Sequence, residues 1–131
     1  MGLDMYLTGE KFFWTDWEHP EKNRTENGLK ISTLDVELGY WRKHPNLHGY
    51  IVQAFADGKD ECQRIELSAE QIEKIVMAVQ AKNLPHTEGF FFGASDGSES
   101  EKDVAVLRKA IEWVNVKEKG VSRTVYYRAS W

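Results

Sequence analysis

"LDMYLT", residues 3–8, alternates apolar and polar side chains. Leu3, Met5 and Leu7 fall on one side of an extended chain, and Asp4, Tyr6 and Thr8 on the other. Such a period of two predicts a half-buried strand with a core on one face only. The far end of the chain repeats the pattern in "SRTVYYRAS", residues 122–130, which predicts a second alternating strand. Strands at both termini with helical patterns between them point to an α+β fold. The expectation is one small, mainly antiparallel sheet with about three helices packed on one face.

Between the terminal strands the local signals are uneven. Gly9-Glu10 suggests a turn, and "KFFW", residues 11–14, an extension or a partner of the first strand. Residues 15–28, "TDWEHPEKNRTENG", are polar, with a proline and an Asn-Gly pair, and read as a long mobile loop. Trp17 inside it is either an anchor to the core or an exposed contact residue. A strand is expected over residues 33–40. A helix then starts near Pro45, carries Leu47, Ile51 and Phe55 on one stripe, and ends at Asp57-Gly58. "QRIEL", residues 63–67, reads as a short strand. Ser68 and Gln71 form a capping box ahead of a second helix, whose stripe is Ile72, Ile75, Val76 and Val79. Ser98 with Glu101, or Ser100 with Asp103, opens a third, striped by Val104, Leu107, Ile111 and Val114 and closed by Gly120.

At 131 residues the chain suits one domain, residues 1–131, with a core that needs neither disulfide nor metal. The net charge of −4 gives no basic field, so nucleic acid is not expected as a partner. No apolar run approaches the ~20 residues that cross a bilayer. The first residues lack a basic and then apolar leader, and Tyr6 stands where a myristoylation signal takes Ser or Thr. A single cysteine, Cys62, forms no internal disulfide, so a reducing, cytoplasmic setting is expected. Five Trp, five Tyr and six Phe are more aromatics than these core stripes use, which turns attention to surfaces.

Several segments together resemble a family of small uncharacterised proteins found in phage and bacterial genomes. They are "MGLDMYL" (1–7), "GYWRK" (39–43), "NLHGYI" (46–51), "DGKDEC" (57–62), "LPHTEGFFFG" (84–93) and "YYRASW" (126–131). The resemblance implies a single α+β domain and a phage or prophage origin. The family brings no established activity with it. The matched segments mark Asp4, Tyr40 to Lys43, His48, Cys62 and Phe90 to Gly93 as positions of interest.

"GYWRK" sets Tyr40 and Trp41 beside Arg42 and Lys43 ahead of a helix start. That combination suits an anion, with a ring to stack on a base or sugar, or alternatively a core aromatic with solvated cations. His44 and His48 are four apart, but Pro45 keeps His44 out of helical geometry, and no third ligand or HExxH pattern accompanies them. No metal and no cofactor are therefore expected, and His48 reads as a hydrogen-bonded core residue or as a general base. Cys62 follows Asp60 and Glu61, which disfavours a thiolate, and reads as packing. Neither a P-loop, nor G-x-G-x-x-G, nor G-x-S-x-G occurs. Phe90, Phe91 and Phe92 lie between two glycines and cannot all share one face of a strand, so a second environment is needed for at least one ring. Packing between the termini supplies it in one reading, and a patch for self-association or ligand stacking in the other.

These observations favour a binding protein over an enzyme. Its expected partner is a macromolecule or a small anionic ligand, met through an aromatic and basic surface, with a homodimer as one expected assembly. The candidate contact residues are Asp4, Tyr40, Trp41, Arg42, Lys43, His48, Phe90, Phe91 and Phe92, and no catalytic residue is assigned. The alternative is an enzyme acting on a nucleotide-like or phosphate-bearing substrate, with His48 and Asp4 as acid and base. Convergence of Asp4, Arg42, His48 and the phenylalanines on one pocket would favour that alternative or a small-ligand receptor. A flat arrangement would favour a protein partner.

Overall fold

The computed structural model describes residues 3–42, 44–82, 84 and 100–131. It forms a single α+β domain. Strand β1 (Asp4–Phe13) is followed by a short 3₁₀ turn (Pro20–Lys22) and by the two-residue strands β2 (Thr25–Glu26) and β3 (Leu29–Lys30). Then come β4 (Thr33–Arg42), α1 (Pro45–Phe55), β5 (Ile65–Leu67), α2 (Ala69–Gln80), α3 (Ser100–Val114) and β6 (Val121–Ser130). The main sheet is antiparallel throughout, in the order β4-β1-β6-β5. The alternating segment that opens the chain is thus an inner strand, flanked by β4 and by the C-terminal β6.

Parity sorts the two faces. Leu3, Met5 and Leu7, Trp41, Ile65 and Leu67, and Val125, Tyr127 and Ala129 are all buried. They share one core with Leu47, Ile51 and Val52 of α1, Ile72, Ile75, Val76 and Val79 of α2, and Leu107 and Ala110 of α3. The helices therefore cover one face of the sheet, as the alternation requires. The other face carries Asp4, Tyr6, Thr8 and Glu10 of β1 and their cross-strand neighbours. Between Leu7 and Thr8 the register with β4 shifts, because Gly39 opposes Leu7 and Glu37 opposes Thr8. Leu38 is the extra residue of this bulge, half-buried against the core.

Two local readings, at Gly9 and Gly120, are corrected, and the loop at 15–28 gains local detail. Gly9 does not turn the chain: β1 runs through it to Phe13. A Cβ at Gly9 would lie 2.6 Å from the Trp113 ring, so the missing side chain makes room for α3 instead. Residues 15–28, expected as a long loop, carry a short hairpin and local hydrogen bonds. Asn27 (φ 51°) and Gly28 (φ 80°) both take positive φ and join β2 to β3 as a tight hairpin, an Asn-Gly preference known for such turns. Ahead of it, Asp16 Oδ1 accepts from the backbone N–H groups of Glu18 and His19, and Asn23 Oδ1 accepts from that of Asp16. Gly120 closes no helix: α3 stops at Val114, and Gly120 (φ 75°) lies in the turn that enters β6.

The Ser68–Gln71 capping box forms with both of its hydrogen bonds. On α3 the most buried positions are Asp103, Leu107 and Ala110, while Val104 and Ile111 are only partly buried. The buried stripe is therefore one position round from the apolar stripe read off the sequence. The reason is polar: Asp103 turns inward to accept hydrogen bonds from two buried rings described below. Phe90, Phe91, Phe92 and Lys43 lie outside the described residues.

Candidate functional site

The face of the sheet that carries no helix among the described residues gathers three of the residues singled out from the sequence. Asp4 opposes Arg42 across β1 and β4, and Tyr6 opposes Tyr40 one pair further on. Directly opposed residues of antiparallel strands share a face, so the four side chains form one patch. The Tyr40 hydroxyl donates to Asp4 Oδ1 at 2.5 Å, and Arg42 Nε lies 4.0 Å from the same oxygen. The Tyr6 and Tyr40 ring centroids are 5.2 Å apart with tilted planes. Both rings remain exposed, at 38% and 39%. The Asp4 carboxylate accepting its proton holds the Tyr40 hydroxyl above the ordinary tyrosine value, with smaller contributions from desolvation and from the Asp4 charge.

The face continues across β6, through residues that the motif reading missed. Arg128 opposes Tyr6, Tyr126 opposes Thr8, and Glu66 opposes Tyr126. The Arg64 guanidinium stacks 3.8 Å from the centre of the Tyr126 ring and reaches Glu10 Oε2 at 3.3 Å. The Tyr126 hydroxyl points to Asp35 Oδ2 at 3.4 Å, and Arg128 Nε donates to the Cys62 carbonyl at 3.1 Å. Cys62 itself is half-buried with φ 58°. Tyr6, Tyr126 and Arg128 stand at even positions flanked by the buried odd positions Met5 and Leu7 of β1 and Val125, Tyr127 and Ala129 of β6. Strand parity therefore carried a signal for them that no motif did.

Trp41 and His48 are elsewhere. Trp41 is in the core, and its Nε1 donates to Asp103 Oδ1 at 2.7 Å. His44 Nε2 meets the other oxygen of Asp103 at 2.7 Å, so one buried carboxylate ties β4, the start of α1 and the first turn of α3 together. His48 is 2% exposed on the helix-covered side. Its Nδ1 lies 2.5 Å from the Tyr127 hydroxyl and its Nε2 lies 2.9 Å from both Asp60 oxygens, with the Trp131 ring edge-on at 5.6 Å. Burial and, to a lesser degree, the nearby Asp60 charge push the Tyr127 hydroxyl well above its ordinary value. In the neutral tautomer whose Nε2–H faces Asp60, the hydroxyl donates to Nδ1. The sheet separates this network from Asp4. The structure brings Asp4, Tyr40 and Arg42 together and sets Trp41 and His48 apart from them.

A cleft of ≈ 800 Å³ opens at the far end of the sheet, lined among others by Phe13, Trp14, Asp16, Trp17, Arg24 and Lys30. Trp17 is 85% exposed and so is not an anchor to the core. None of Gly39, Tyr40, Trp41 and Arg42 lines it. Among the described residues no group of three or more His, Cys, Asp or Glu side chains is placed to hold a metal ion, and no helix is long and apolar enough to cross a membrane. No family model, curated protein or solved structure matches the chain, so the reading of the site rests on its geometry.

Proposed function

We propose that this protein is a binding module that recognises a protein partner through the helix-free face of its sheet. The carrying observation is a set of three tyrosines on this sheet face, Tyr6 and Tyr40 exposed and Tyr126 half-buried, each braced by a neighbour. Tyr40 is held by Asp4, Tyr6 lies against Tyr40, and Tyr126 is covered by Arg64. Tyrosine and arginine are the residues that anchor protein interfaces, and side chains already held in place lose less freedom on binding. A small anion suits the patch less well. The Asp4 carboxylate sits between Tyr40 and Arg42, and Glu10 already engages Arg64, so the cations near the rings are largely balanced. The enzyme alternative needs Asp4 and His48 at one substrate, and they lie on opposite faces of the sheet.

Hydroxyl-radical footprinting tests this reading. Tyr6, Tyr40 and Tyr126 are compared in dilute purified protein and in a concentrated extract of cells that make it. Selective protection in the extract, with unchanged labelling of exposed Trp17, is the expected result. Equal labelling of the three tyrosines in both samples would sink the proposal. A small molecule retained in native mass spectrometry and lost in Arg42→Ala would favour the anion reading instead.

A further inference from the structure

The charges on the open face are segregated along the strands. Four rows of opposed residues cross it, set by the pairing of β4, β1 and β6. The first is Arg42, Asp4 and Ser130, and the second Tyr40, Tyr6 and Arg128. The third is Glu37, Thr8 and Tyr126, continued by Glu66 on β5, and the fourth is Asp35, Glu10 and Thr124. The first two rows thus hold Arg42 and Arg128 against the single carboxylate of Asp4. The last two hold four carboxylates (Glu37, Glu66, Asp35 and Glu10) against the single Arg64, which lies over Tyr126 and reaches Glu10.

Resting on the function proposed above, we propose that the partner is a second copy of this chain, packed sheet to sheet about a two-fold axis. Two in-plane axes can stack identical sheets face to face. An axis along the strands sets each row on its own copy, arginine on arginine and carboxylate on carboxylate. An axis across the strands reverses their direction and sets the basic end of one copy on the acidic end of the other. Only the second is electrostatically complementary.

Placing that axis between the second and third rows gives a specific register. Arg42 meets the partner's Asp35, Tyr40 meets the partner's Glu37, and Arg128 meets the partner's Tyr126, each contact occurring twice. Asp4 falls opposite the partner's Glu10, but each of these carboxylates has an arginine beside it in its own chain, Arg42 at 4.0 Å and Arg64 at 3.3 Å. The size is also adequate. Three ten-residue strands about 33 Å long and the three-residue β5 about 10 Å long, spaced about 4.8 Å apart, present roughly 500 Å² before side-chain relief is counted. A standard interface takes about 800 Å² from each partner, so the face is of the right order. Aligned sheets cross at about 30°, which the twist of this sheet allows.

Sedimentation velocity over a wide concentration series, on the wild type, Arg42→Glu, Asp35→Arg and an equimolar mixture of the two variants, tests the register. Both positions are exposed on β4, an edge strand, and circular dichroism checks that each variant folds. The wild type should dimerise, and each variant alone should associate at least ~10-fold more weakly, since it sets like charges opposite each other. The mixture should recover the dimer, because in the mixed pair one contact is charge-reversed and the other is native. A monomeric wild type at every concentration overturns the proposal, and so does a dimer indifferent to both substitutions, which would point to pairing through the edge of β4. If both variants weaken the dimer but the mixture does not restore it, the register is wrong and the proposal fails in this form. A monomer whose tyrosines are still protected in extract leaves the function standing with a different partner. A monomer with unprotected tyrosines removes both.

Discussion

The two faces of the sheet handle polar side chains in opposite ways. On the helix-covered face they are buried and joined over long stretches of chain: Trp41 and His44 to Asp103, and His48 to Asp60 and Tyr127. On the open face the polar contacts are exposed, as in Tyr40 with Asp4 and Arg64 with Glu10. A buried donor left without its acceptor has no water to turn to, whereas an exposed one does. The helix side should therefore register substitutions as lost stability. The open side should register them as lost association, with the fold intact.

Asp103→Ala should break the covered face hardest. It removes the acceptor of the buried Trp41 indole N–H and one pole of the His44 contact together, at a cost of about 3 kcal/mol. The measurement is the urea midpoint at unchanged m-value; a loss no larger than that of an exposed substitution would mean that the Asp103 contacts do not hold α3 in place. Gly39→Ala comes next. Its Cβ would lie 2.4 Å from Val106 Cγ1 and 3.2 Å from the Trp41 ring, so α3 must move off the sheet, costing about 2 kcal/mol. Gly28→Ala provides the contrast, because nothing lies within 4 Å of that position and only the φ of 80° opposes the change. A milder loss follows from Tyr127→Phe, about 1 kcal/mol for the hydrogen bond to His48 Nδ1 in an otherwise conserved shape. Equal stability of Tyr127→Phe and wild type would show that this contact adds nothing net.

Much of the covered face was legible beforehand, because period-two and period-3.6 patterns report burial directly. Leu3, Met5 and Leu7, the Ser68 capping box and the α2 stripe are all where the pattern puts them. The contacts that orient the helices were not legible. Asp103 meets Trp41 across 62 residues and His44 across 59, and a carboxylate in the first turn of a helix reads as a solvated one until the fold brings its partners. Gly9 and Gly39 were opaque for the same reason: each is small because a residue of α3 lies over it. On the open face, "GYWRK" was read as one cluster. A strand sends successive side chains to opposite faces, so Trp41 went to the core while Tyr40 and Arg42 stayed outside. Parity applied to β6 would have added Tyr126 and Arg128 to them.

The smallest expected effect is also the sharpest probe of the open face. The Tyr40 hydroxyl is raised above the ordinary value of 10.0 chiefly because Asp4 accepts its proton, and Arg42 opposes that shift. In the unfolded chain the ring titrates near 10.0, so the stability this bond contributes is fully present below that pH and is lost as pH rises through the raised folded value. At neutral pH Tyr40→Phe should lower the urea midpoint only slightly, because the bond it removes is exposed to water. Absorbance at the tyrosinate band, wild type minus Tyr40→Phe, should show a single step above pH 10. Asp4→Asn should move that step down, since the accepting negative charge is gone, and Arg42→Gln should move it further up, since the opposing cation is gone. Shifts of opposite sign from two residues that both touch Tyr40 cannot come from general loosening of the sheet, which would move both toward the free value. If both substitutions shift the step the same way, the three side chains do not act as one patch in solution, and the open face loses the braced tyrosine on which its role in recognition rests.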